Sequence, residues 1–143
     1  MEVLLLTGVA LVVLAIVVFR RGADGVIASS KHATWVLRGA LVLMAIYTAF
    51  WLFVGIAEMT SGDLSGVIHL VPAIMLVGLM FLARRRPIEG GVVLVVLGVL
   101  ASVYFFAATH GGSAFQIQAA LFGGAPYVVF GLLFLAAAAL AQR

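Results

Sequence analysis

The sequence predicts an all-α integral membrane protein, a bundle of five transmembrane helices with its N-terminus outside and its C-terminus cytoplasmic. Three observations lead there. Of 143 residues, 66% are apolar and 9% charged, with a mean hydropathy of +1.32; a soluble domain carries about a quarter charged residues. The apolar residues are gathered into runs near the ~20 residues needed to cross a hydrocarbon core of about 30 Å. Finally, all eight Lys and Arg residues (Arg20, Arg21, Lys31, Arg38, Arg84, Arg85, Arg86 and Arg143) fall on one side of the plane that those runs define.

The spans are expected at about 3–19, 33–57, 67–83, 91–109 and 119–141, within a single transmembrane domain over 1–143. The first has no basic segment before it, Glu2 being the only early charge, and Arg20 and Arg21 follow it. That order predicts a retained anchor instead of a signal peptide. Arg20, Arg21 and Lys31 precede the second span, which opens with Trp35 and Arg38; Trp35 suits an interfacial anchor, and Arg38 can snorkel to the headgroups. The next connection holds only the acids Glu58 and Asp63. In the third span Pro72 predicts either a helix start near His69 or a bend whose freed carbonyl His69 satisfies. Arg84, Arg85, Arg86 and Glu89 make the turn into the fourth span, and the connection 110–118 has no formal charge. Basic connections kept cytoplasmic then set the orientation.

Small residues predict how the spans pack. Lipid tails are as apolar as leucine, so close approach in a membrane relies on small residues along one helix face. Gly91, Gly98, Ser102 and Thr109 share one line of the fourth span, and Gly124, Gly131 and Ala138 repeat every seventh residue in the fifth. Gly8 and Ala15 do so in the first, and Ala45 and Ala49 are four apart in the second. Seven-residue spacing suits a left-handed bundle with small residues in its seam.

From Trp35 onward the chain resembles a family of small, uncharacterised prokaryotic membrane proteins with four spans. The resemblance, over about residues 33–141, is carried by Trp35 and Arg38, by His69-Leu-Val-Pro72, by Arg86-Pro87-Ile88-Glu89-Gly90-Gly91 leading into Gly98, and by Pro126 followed by Gly131-Leu-Leu-Phe134. It implies a four-helix architecture and brings no established activity. The N-terminal span is a departure from the pattern.

The absence of cysteine excludes disulfides, thiolate ligands and Cys nucleophiles. No Ser/His/Asp set, phosphate loop or zinc motif is present, so no enzyme is expected. The pI near 10.0 reflects topology residues beside anionic lipid and not nucleic acid. Arg84, Arg85 and Arg86, with Trp35 and Arg38, are expected at the lipid interface. The candidate metal or proton site is the outer-face set Glu58, Asp63, His69 and His110, two imidazoles and two carboxylates with no nearby cation. Its spacing is not a metal motif, and the alternative is an interfacial cluster bonded to water or backbone. The two histidines differ in depth by about 6 Å, a poor fit to shared haem ligation, and no cofactor is expected. Tyr47, Thr48, Trp51, Ser102, Tyr104 and Tyr127 all lie from mid-membrane outward.

The functional expectation is a small accessory or structural subunit of a prokaryotic cell (inner) membrane, multi-pass, with membrane lipids, other integral membrane subunits or its own copies as partners. The alternatives are a small transporter or channel, or a lipid-, quinone- or pigment-binding protein with an outward-facing pocket.

Overall fold

The computed structural model describes residues 30–62, 65–110 and 112–142. They form four helices: α1 (Lys31–Thr60), α2 (Gly66–Arg85), α3 (Pro87–Ala108) and α4 (Ser113–Ala141). All four are long and apolar enough to cross a membrane, and no strand occurs among the described residues. This is the architecture of a multi-pass membrane protein. The span expected at 3–19, with Gly8, Ala15, Arg20 and Arg21, lies outside the described residues, as do Asp63 and Arg143.

The helices overrun the apolar spans that announce them. α1 has 30 residues and α4 has 29, about 45 Å each, so their ends reach beyond a hydrocarbon core of about 30 Å. Apolarity stops at the hydrocarbon boundary, whereas backbone hydrogen bonding continues into the headgroup layer until a cap or turn ends it. Ser30 caps α1 by accepting from Ala33 N–H at 3.5 Å. α4 starts at Ser113, six residues before its apolar run, after Gly112 turns the chain at φ 92°. There Gln116 Nε2 donates to the Thr109 carbonyl at 3.1 Å, tying the loop to the new helix. Pro87 opens α3, where its missing N–H goes unused. Arg86 alone separates α2 from α3. The chain can reverse in one residue because Gly90 lies against the Ala83 backbone, where a Cβ would overlap it.

Consecutive helices run antiparallel around one core. α3 and α4 pack most extensively, then α1 with α2 and with α4, and α2 with α3 less than any of these. The α3–α4 seam is glycine on glycine. Gly91 meets the Gly131 backbone, and Gly98 meets Gly124, with Ser102 close against Gly124. A second close approach joins Gly55 of α1 to Gly66 of α2. Side chains buried at helical spacing (Leu37, Met44, Leu76, Met80, Leu94, Phe134) fill the bundle. Most of this core lies toward the end carrying Arg84–Arg86. Beyond Gly98, α3 buries no residue at all.

Each proline inside a helix frees the carbonyl four residues earlier, a costly group to leave in lipid. In α4, Pro126 frees the Phe122 carbonyl, and the Tyr47 hydroxyl of α1 donates to it at 2.8 Å. In α2, Pro72 frees the Ile68 carbonyl. The helix begins at Gly66 and passes through Pro72 without ending. His69 does not serve that carbonyl, because its Nδ1 turns to Glu58 instead.

Candidate functional site

α2 and α3 leave their tight turn side by side and part toward the opposite end. The space between them is a cavity of 590 Å³, closed behind by Trp51 of α1 and by Gly123 and Tyr127 of α4. Its walls are largely apolar, including Met75, Leu97 and Ala101, and its rim is exposed at Ile68, Leu100 and Tyr104. A cavity of this size is within the range of small-molecule sites, about 300–1,000 Å³. It opens sideways, toward where lipid would lie.

Its polar groups come from three helices. His69 of α2 lines the cavity, and its Nδ1 lies 2.7 Å from Oε2 of Glu58 at the end of α1. Both side chains are one-third exposed. Trp51 lies over the imidazole, ring centroids 5.5 Å apart and planes 15° apart, so the ring is held by its bond and by stacking. The Trp51 indole N–H is buried with no partner at regular hydrogen-bond geometry, and the Tyr47 hydroxyl is the polar group it interacts with. Tyr127 is buried, faces the cavity and meets Tyr47 edge to face.

The structure thus joins Glu58 and His69. It leaves His110 exposed just beyond α3, and Asp63 lies outside the described residues. Among the described residues no three His, Cys, Asp or Glu side chains come together as metal ligands would. Of the polar residues in the outer halves of the spans, Trp51, Tyr104 and Tyr127 line the cavity. Tyr47, Thr48 and Ser102 instead bond to the Phe122, Met44 and Ala120 carbonyls at 2.8, 2.8 and 3.3 Å. Sequence reasoning missed the apolar wall. One signal for it was available in the Gly123–Gly124 doublet: Gly124 continues the seven-residue seam, while Gly123 lies against the Phe105 ring at the cavity wall.

The interfacial residues gather at the other end. Trp35 is 69% exposed. Arg38 and Arg84 are half-buried, Arg85 and Arg86 are exposed, and Arg86 pairs with Glu89 at 3.1 Å.

No curated protein and no solved structure matches this chain. The family defined as a domain of unknown function, DUF7670, matches residues 26–143, which contain all four helices and leave out the first expected span. The chain belongs to the DUF7670 family.

Proposed function

We propose that this chain is a small multi-pass protein of a prokaryotic cell membrane that holds a lipid-soluble ligand between α2 and α3. The observation that carries this reading is the 590 Å³ cavity with apolar walls and an oriented imidazole at one end. Such a site suits an apolar tail bearing one polar head. The orientation that accompanies it puts the Arg84–Arg86 turn on the cytoplasmic side and the cavity in the outer half, with a further N-terminal span making five. No chemistry at a covalent bond is part of the proposal.

The test is retention. The protein, purified in mild detergent and washed, is extracted with solvent and the extract analysed by mass spectrometry. One lipid-soluble species near stoichiometry is expected from the unaltered chain, and its loss from Ala101→Phe, which projects a ring from the wall into the cavity. Thermal unfolding of the variant establishes that it is folded. No retained species, or equal retention by the folded variant, overturns the reading.

A second reading, an accessory subunit, has its own supporting observation. Val92, Val96, Val99 and Val103 form an exposed row along the outer face of α3, a stiff surface on which another transmembrane helix could pack. Co-purification of a second membrane protein, lost on Val96→Trp, supports it; a lone monomer counts against it.

A further inference from the structure

The His69 corner of the cavity presents hydrogen-bond acceptors, apart from the hydroxyls of Tyr104 and Tyr127 elsewhere in the wall, and these acceptors restrict the head of its ligand. A carboxylate accepts and cannot donate, so the 2.7 Å contact to Glu58 requires the proton of His69 on Nδ1. In a neutral imidazole the other ring nitrogen is then an acceptor. Nδ1 is taken by Glu58, which is not part of the wall, so Nε2 is the nitrogen that His69 leaves for the cavity. Trp51, stacked on the ring, fixes the plane in which Nε2 points. A second acceptor lies one residue away: Pro72, itself in the wall, deprives the Ile68 carbonyl of its helical donor. The equivalent carbonyl at Phe122 receives the Tyr47 hydroxyl, which is the kind of group the Ile68 carbonyl is suited to receive.

We infer that the ligand of this cavity is a lipid with a hydroxyl head, a prenylated hydroquinone or a long-chain polyprenyl alcohol, whose O–H donates to His69 Nε2. This rests on the cavity reading above. Glu58 is a positioning residue, because it sets the tautomer without touching the ligand. The apolar tail would leave between α2 and α3, past Val71 and Leu100 on the exposed rim.

The experiment compares each hydroxyl compound with its own methyl ether, which keeps the shape and removes the donor. The full chain is placed in lipid nanodiscs at pH 8 in a Trp35→Phe background, so that Trp51, the other of its two tryptophans, reports binding by fluorescence. The probes are a prenylated hydroquinone, its dimethyl ether, the corresponding quinone, a polyprenol and its methyl ether. At least one hydroxyl compound should bind about tenfold more tightly than its ether, the worth of one hydrogen bond. Whichever alcohol is discriminated identifies the source. His69→Phe preserves the stack on Trp51 and should erase the difference. Glu58→Gln, whose amide can donate to Nδ1 and release the tautomer, should reduce it. Equal binding of alcohols and ethers overturns the inference and leaves the cavity reading standing. Tighter binding of the quinone than of the hydroquinone overturns it too, since the site would then donate to the head instead of accepting from it. If no probe binds and Ala101→Phe changes nothing, the cavity reading itself fails.

Discussion

Adding one methyl group at Gly124 should loosen the α3–α4 seam that forms one wall of the cavity. A Cβ there would lie 2.5 Å from the Gly98 carbonyl oxygen and 2.6 Å from Ser102 N, and would also overlap Ser102 Oγ. Two of these obstacles are backbone atoms, so no rotamer change relieves them, and the helices must separate by about 1 Å to restore ordinary contact. A gap of that size forfeits about a quarter to a half of the dispersion energy of each contact it opens. Overpacking of this kind costs about 1–3 kcal/mol, against which alanine's helix propensity returns up to about 1 kcal/mol. Gly124→Ala should therefore lower stability by about 1–2 kcal/mol. Gly78 is the matched control: nothing lies within 4 Å of its Cβ position, so Gly78→Ala keeps only the propensity gain. Reversible unfolding in mixed detergent–SDS micelles, followed by circular dichroism, measures both. Adding Ser102→Gly to Gly124→Ala should recover part of the loss by removing Oγ while the Gly98 carbonyl stays in place. If Gly124→Ala proves as stable as Gly78→Ala, glycine-limited approach does not hold this seam.

Three further outcomes are expected. Tyr47→Phe leaves the Phe122 carbonyl without the donor that Pro126 cannot supply, and should cost about 1 kcal/mol in the same unfolding assay; no measurable loss would mean that water or lipid serves that carbonyl. Glu58→Ala removes the partner of His69 Nδ1, but both side chains are one-third exposed and water can replace it, so the loss should stay near about 0.5–1 kcal/mol; a loss of several kcal/mol would show that the pair is buried in the working protein. Because the chain has no cysteine, His110→Cys and Arg85→Cys report topology cleanly. A membrane-impermeant maleimide should label the first on intact cells and the second only after permeabilisation, and the reverse pattern would invert the proposed orientation.

Much of the fold was legible because lipid imposes simple rules. The four described helices stand where apolar runs announce them, and their ends depart where capping, not hydropathy, decides. The glycine seam was legible too: Gly91 and Gly98 meet Gly131 and Gly124 because close approach between helices in lipid needs small residues, which repeat visibly. The Glu58–His69 bond was less so. The two were expected on one face, but they are eleven residues apart across a turn, and no periodicity pairs them. The Tyr47–Phe122 bond had a readable half, since Pro126 announces a freed carbonyl, while the donor from another helix had no signature.

The sequence by itself determined the multi-pass helical architecture, the alternation of basic and acidic connections and the glycine faces on which α3 and α4 approach. Each follows from the chemistry of residues against lipid, counted one span at a time. Only the tertiary structure decided that α2 and α3, held together at Ala83 and Gly90, diverge into a cavity, and that a carboxylate on α1 meets the Nδ1 of an imidazole on α2. Both depend on the angle between helices, which arises from side chains distributed over all four and which no single span contains.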